Sequence, residues 1–180
     1  PNCELIFMDD GSTDNTKQKV DYYKPLVEKR GYQFRYFFHS NIGLGGTIAE
    51  GIKYVKGDYV VWPDCDDRIN VNWISRKVAF LEENIQFGLV RTNGIIVDEQ
   101  GKYIKDIVNY KIDLLHVNVF DDYLFGINAW LQPLSFMIRM SAFDNANPDR
   151  YIYPTRRGQD WQMLLPVMYK YPCGYLDEKL

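Results

Sequence analysis

The stretch Leu5-Ile6-Phe7-Met8-Asp9-Asp10-Gly11-Ser12-Thr13-Asp14 decides how the chain is read. Four apolar residues in a row match a short buried strand, and the Asp, Gly, Ser and Thr that follow suit a tight loop leading into a helix. The same order recurs at Tyr59-Val60-Val61-Trp62, where Pro63 closes the run ahead of Asp64-Cys65-Asp66-Asp67. Proline has no N–H to give a central ladder, so the strand ends there. Apolar strands that end in acids, with helical spacing between them, indicate an α/β sheet covered on both faces, with ligands gathering outside the carboxyl ends of its strands.

Working outward, Asp14 or Thr13 can cap a helix with Val20, Tyr23 and Val27 on one face, and Pro25 should bend or shorten it. Residues 34–38 read as a second strand. Asn41-Ile42-Gly43-Leu44-Gly45-Gly46 reads as a glycine-rich turn, followed by a helix carrying Ile48, Ile52 and Val55 that stops at Gly57. Past the acidic segment, Trp73, Ile74, Val78 and Leu81 mark a helix and residues 87–91 a strand. Asp98-Glu99-Gln100-Gly101 is a turn that makes a hairpin of 95–97 and 103–104. The last third is more mixed, with a short helix at 121–125, a strand at 135–139, and a helix opening at Gln159-Asp160-Trp161 that Pro166 would kink.

Composition narrows the classes. A chain of 180 residues with 46% hydrophobic content can bury the core of one domain. A net charge of −3 and a pI near 5.4 argue against nucleic acid as the main partner, since such proteins usually carry a basic face. No apolar run approaches the roughly 20 residues of a spanning helix. Cys3, Cys65 and Cys173 are odd in number and far apart, which fits neither a disulfide framework nor a thiolate zinc site and suits a reducing, cytoplasmic setting.

Asp64 and Asp66, two apart, would point to one side in an extended segment and converge on one ion. Oxygen ligands in such small number suit magnesium or manganese, which fill the rest of their shell with water and substrate phosphates. The plainer reading is a solvated turn whose aspartates cap the helix near Trp73. Asp9 and Asp10 have two readings as well, a strand-to-helix turn or carboxylates that accept hydrogen bonds from a nucleoside. The glycine-rich turn lacks the lysine and hydroxyl residue of a phosphate loop, and suits flexible backbone close to a ligand. Asp160 follows Arg156-Arg157-Gly158-Gln159 and is either a helix cap or a general base kept ionised by the helix start and the arginines. His39 and His116 have no partner at metal or triad spacing and are assigned no chemistry.

Taken in order, Asp9-Asp10-Gly11-Ser12-Thr13-Asp14, Asn41-Ile42-Gly43 with Ala49, Gly57-Asp58-Tyr59 leading to Asp64-Cys65-Asp66-Asp67, and Gly158-Gln159-Asp160-Trp161 resemble glycosyltransferase family 2. Gly174-Tyr175-Leu176-Asp177-Glu178 resembles that family's final core strand. The resemblance implies an α/β fold of the GT-A, nucleotide-diphospho-sugar type, a mixed sheet flanked by helices that here lacks its first strand–helix unit. It implies one catalytic domain over 1–180, with a nucleotide-binding part over about 1–92 and an acceptor side over about 93–180. It also implies a metal-dependent inverting transfer from a nucleotide-diphospho-sugar, with UDP-sugar the expected donor, to a carbohydrate or lipid-linked acceptor.

On the matching positions, the resemblance assigns the nucleobase to Asp10 with Asp9, and puts Ser12, Asn41 and Gly43 on the substrate side. Asp64 goes to the ribose or the metal shell, Asp66 to the Mn or Mg ion in an Asp-X-Asp motif, and Asp160 to the base. The family's habits add bacterial surface polysaccharide synthesis and a cytoplasmic site, compatible with peripheral association at the inner membrane face. Gln159 departs from the glutamate usual before the catalytic aspartate. The expected natural polypeptide begins well upstream of Pro1, and the 180-residue piece should bind donor weakly. A phosphoacceptor receiver domain fits poorly, because Arg91-Thr92 stands where its lysine would be. A related nucleotidyltransferase and a non-catalytic sugar-nucleotide-binding module remain as alternatives.

Overall fold

The computed structural model describes residues 2–156 and 158–180. In chain order the elements are β1 (Glu4–Asp10), α1 (Thr16–Lys29), β2 (Gln33–His39), α2 (Gly43–Gly51), β3 (Tyr59–Val60), α3 (Trp73–Glu83), β4 (Leu89–Asn93), β5 (Ile95–Val97) and β6 (Tyr103–Asp106). They continue with α4 (Phe120–Phe125), β7 (Phe136–Arg139), α5 (Met140–Ala146), α6 (Gln159–Lys170) and β8 (Cys173–Lys179). Two compact units result, Pro1–Gly57 with Asp149–Gln162, and Asp58–Pro148 with Met163–Leu180.

In the first unit β1 and β2 pair in parallel, from Glu4 opposite Gln33 to Asp10 opposite His39. Asp10 and His39 therefore end their strands side by side. Glu4 fastens the start of β1: its carboxylate accepts the N–H groups of Lys56 (2.7 Å) and Gly57 (3.0 Å) and pairs with Arg35.

Four sequence expectations change in this unit. α1 runs unbroken through Pro25; Pro25 and Asp21 are both exposed, so water can take the carbonyl that the missing N–H leaves open. Tyr23 is exposed rather than on the buried face, where only Val20 is fully covered. The glycine-rich turn is instead the start of a helix, since α2 begins at Gly43. β1 is also less buried than its apolar run suggests: Leu5 is exposed, and its one fully buried residue is Asp9.

The second unit holds a mixed four-stranded sheet in the order β3-β7-β4-β8, with β7 antiparallel to both neighbours and β8 parallel to β4. α3 covers it through Leu81, which packs with Val90 and Met137, and Phe80 and Phe87 join this cluster at its edge. Each fully buried leucine or valine there contributes roughly 1.5–3 kcal/mol. β3 is shorter than expected, because Val61 and Trp62 leave the ladder ahead of Pro63. β5 and β6 form the expected hairpin, whose turn is held by Asp98 accepting from the N–H groups of Gln100 (3.0 Å) and Lys102 (2.8 Å). α5 was not anticipated; Met140, Ala142 and Phe143 are its buried side chains. α6 continues through Pro166 to Lys170. Among the described residues no helix is long and apolar enough to cross a membrane.

Candidate functional site

The first unit brings Asp9, Asp10, Ser12, Asn41 and Gly43 together where β1 and β2 end. Asp9 is 3% exposed. One of its carboxylate oxygens accepts the N–H of Ser12 (2.8 Å), and the other accepts the phenol of Tyr36 (2.6 Å). Burial alone would raise its pKa, but the hydrogen bonds from Tyr36 and Ser12 outweigh it and hold the carboxyl below the usual aspartate value. In return, burial and the Asp9 carboxylate push the Tyr36 phenol up to about 12. Asp9 thus shapes the loop from within.

Asp10 faces the next strand end. Its two oxygens accept the N–H groups of Ile42 (2.7 Å) and Gly43 (2.9 Å), the open donors at the start of α2. The Asn41 amide closes the circuit by donating to the Asp10 carbonyl at 3.0 Å. A carboxylate at a helix N-terminus is favourable, and here it fills the position an anion would take. A phosphate-loop reading of the glycine-rich segment therefore has no open N–H at Ile42 or Gly43. Asp10 keeps a side-chain exposure of 22%.

Gly11 lets the loop pass this close. Its φ of +75° lies in the left-handed region, and a Cβ on it would stand 2.7 Å from the Asn41 nitrogen. His39, given no chemistry from sequence, has its Nδ1 3.3 Å from Asp10 and 3.0 Å from the Ser40 carbonyl. Tyr36 and His39 are the residues that sequence reasoning missed. The signal for both was the parallel register, which sets β2 beside the acids of β1.

Asp160 lies in the first turn of α6, within the same unit. Gln159 before it is 6% exposed and its side-chain N–H donates to Asp160 at 3.2 Å. The Gln-for-Glu departure thus sets a neutral donor beside the aspartate, where a glutamate would add a like charge. Of the two arginines expected to support Asp160, Arg157 lies outside the described residues; Arg156 has its Cγ 3.6 Å from where a Gly43 Cβ would stand. α2 is packed tightly against this stretch, since a Cβ on Gly45 would stand 2.0 Å from the Thr155 carbonyl oxygen.

In the second unit Asp64, Asp66 and Asp67 are exposed. Of the two readings of this segment, the structure takes the turn and not the extended run: the Asp67 N–H donates to the Asp64 carbonyl at 3.2 Å. A tight turn costs no ladder bonds here, because β3 has already ended. Partial shielding from solvent, and then the charge of Asp66, hold the Asp67 carboxyl above its usual value. Among the described residues no group of three or more His, Cys, Asp and Glu side chains is arranged to enclose a metal ion. Exposed carboxylates crowded on one turn do fit a hard cation that takes one or two protein oxygens and leaves the rest of its shell to water and phosphate.

Solved structures with the same architecture identify the class. S. aureus TarS (residues 1–349) superposes with a TM-score of 0.67 at 20% identity, over 98% of this chain and 49% of that one, and the same protein is known in complex with UDP. GalNAc-T7 with UDP, GalNAc and Mn²⁺ superposes with a TM-score of 0.58 at 13% identity, over 97% of this chain and 36% of that one. The fold is the GT-A type.

The family follows from sequence. Residues 1–111 match the model for glycosyl transferase family 2, and the chain belongs to that family. A glycosyltransferase of Rickettsia felis is 26% identical over 179 residues, 99% of this chain and 27% of its own length. One of Haemophilus influenzae is 31% identical over 117 residues, 63% of this chain and 44% of its own length. The chain thus spans about a quarter of the length of the first of these relatives and under half of the second.

Proposed function

We propose that this chain is the catalytic part of a metal-dependent, inverting glycosyltransferase that uses a nucleotide-diphospho-sugar donor, with UDP-sugar as the donor class. The observation that carries the reading is the closed hydrogen-bond circuit of Asp10, Asn41 and Gly43 at the ends of β1 and β2, with Asp9 fixing Ser12 beside it, in a chain of this family. UDP in the TarS complex and in GalNAc-T7 supports the donor class, and Mn²⁺ in the latter supports a divalent cation.

Asp10, partly exposed and held rigid by the start of α2, meets the nucleobase, while Asp9 fixes the loop with Ser12. Asp66 and Asp64 hold Mn or Mg, which when bound supplies positive charge against the donor diphosphate. Asp160 removes the proton from the acceptor hydroxyl as that oxygen bonds to the anomeric carbon. The bond from that carbon to the diphosphate oxygen breaks on the opposite face, its electron pair leaves with the nucleoside diphosphate, and the configuration inverts. The N-terminal turn of α6 is a favourable place for the negative charge Asp160 carries before the transfer. Assembly of bacterial surface polysaccharide, at the cytoplasmic face of the membrane, is the setting this reading expects.

The test is release of nucleoside diphosphate from a panel of UDP-sugars by the full-length protein with manganese. Asp66→Ala and Asp160→Asn should each lower turnover about 10²–10⁴-fold. Unchanged turnover in both variants overturns the reading.

A further inference from the structure

The second unit contains an open cavity of about 640 Å³ that is lined by none of Asp9, Asp10, Asp64, Asp66 and Asp160. Its size falls within the roughly 300–1,000 Å³ of small-molecule sites. Two tyrosines, Tyr110 and Tyr175, stand in its wall with Asp113, Asp177 and Lys111.

The wall is built in advance of any ligand. Asn93, 6% exposed, donates its amide to the Val108 carbonyl (3.0 Å) and accepts the N–H groups of Val108 (2.9 Å) and Gly94 (2.8 Å). That fixes the chain leading to Tyr110. The Tyr110 hydroxyl donates to the Asn128 carbonyl at 2.8 Å, and the Tyr175 hydroxyl to Asp177 at 3.2 Å. Behind Tyr175, the edge-on ring of Trp130 is 6.0 Å away, and the buried guanidinium of Arg91 is 6.0 Å from the tyrosine ring centre. With both hydroxyls engaged, the tyrosines offer ring surface rather than free donors, and little side-chain freedom is left to lose on binding.

Charge narrows the occupant. Three carboxylates, Asp106, Asp113 and Asp177, stand against two lysines, Lys111 and Lys179, leaving the lining one net negative charge. Lys179 is already paired with Asp106 at 2.8 Å. A phosphorylated or carboxylated ligand would meet like charge, and a purely apolar one would strip water from the acids without replacing their hydrogen bonds. Hydroxyl groups satisfy the carboxylates, and a C–H face satisfies the rings.

We infer that this cavity is a binding subsite for a neutral saccharide, held between the Tyr110 and Tyr175 rings with its hydroxyls on Asp113 and Asp177. As the acceptor's resting place it rests on the transferase reading above; as a saccharide site it does not.

The experiment is saturation-transfer NMR on the full-length protein with maltotriose, cellotriose and N-acetylchitotriose, and with glucose 6-phosphate as the charged comparator. The expected result is transfer to the ring C–H protons of at least one neutral sugar, none to glucose 6-phosphate, and at least about tenfold weaker binding in both Tyr110→Ala and Asp113→Ala. Both replaced residues are exposed, so the variants should stay folded, with thermal melts of both as the check. No transfer to any neutral sugar, equal transfer to the phosphorylated one, or affinity unchanged in both variants overturns the inference. Because binding is read without turnover, an inactive protein that still binds sugar loses the transferase reading and keeps the subsite. An active protein whose sugar signal ignores both substitutions does the reverse.

Discussion

The phenol of Tyr36 donates to Asp9 at 2.6 Å, across the parallel pair β1 and β2, and makes the most buried residue of β1 a satisfied carboxylate. Tyr36→Phe leaves that oxygen without its partner in a site that water does not reach, and should cost about 1–3 kcal/mol in urea unfolding. The pH dependence has a defined direction. Asp9 titrates below the ordinary aspartate value of 3.8 when folded, so its contribution is present above that value and is lost as pH falls through the lower folded one. Tyr36→Phe should therefore begin acid unfolding at higher pH than the parent.

Asp10 holds the first turn of α2 through two backbone N–H groups. Asp10→Ala should cost about 0.5–2 kcal/mol, the range for losing a helix cap. Asp10→Asn keeps one acceptor oxygen and should recover part of that loss. If Asp10 also meets the nucleobase, titration calorimetry with UDP should show both variants binding more weakly, including the better-folded Asn.

Gly45→Ala drives a methyl group into the Thr155 carbonyl, where the geometry leaves 2.0 Å. Neither backbone can yield without shifting the segment that leads to Asp160, and overpacking of this kind costs about 1–3 kcal/mol. A lower thermal midpoint together with lower turnover is expected. Unchanged values of both would mean that the two backbones slide apart freely.

Lys77 is fully buried in α3, with its ammonium on the Leu134 carbonyl and 4.7 Å from the Trp73 ring centre. Burial lowers its pKa to about 7, against 10.5 in the unfolded chain. Below pH 7 both states carry the proton and the cost of burying the charge is fully present. Between about 7 and 10.5 the unfolded chain binds more protons, so stability rises with pH at up to about 1.4 kcal/mol per unit from this group. Lys77→Met should remove that slope and leave the protein as stable or more so near pH 7. The Leu134 carbonyl keeps the Trp73 ring N–H, at 2.7 Å, as its partner. Chemical denaturation at pH 7, 8 and 9 on both proteins gives the comparison.

Lys77 also shows where the sequence was mute. The apolar spacing of Trp73, Ile74, Val78 and Leu81 gave α3 correctly, but a lysine on the same face reads as a solvated charge until the carbonyl that receives it is known. The apolar runs at 5–8 and 59–62 were legible as strands, although β1 continues through Asp10 and β3 ends at Val60, ahead of Pro63. Their surroundings were not. Pro25 argued for a shortened α1, and only exposure at Asp21 and Pro25 shows why the helix tolerates it. Gly43, Gly45 and Gly46 argued for a turn by propensity, yet the Asp10 carboxylate 33 residues earlier in the chain stabilises a helix start there. The acids at Asp64 and Asp66 were found by pattern, while their turn depended on how soon β3 left its ladder.

The first unit is assembled from Pro1–Gly57 and Asp149–Gln162, with Asp58–Pro148 in between. Synthesis from the N-terminus releases β1, β2 and α2 from the ribosome long before the strand of chain that lies against Gly45 exists. Until then, the groove that receives Thr155 stays open on a nascent fragment whose Leu5, Phe38 and Leu44 are exposed even in the finished fold. During translation this unit therefore stays open, and prone to misassociation, until Asp149–Gln162 has emerged.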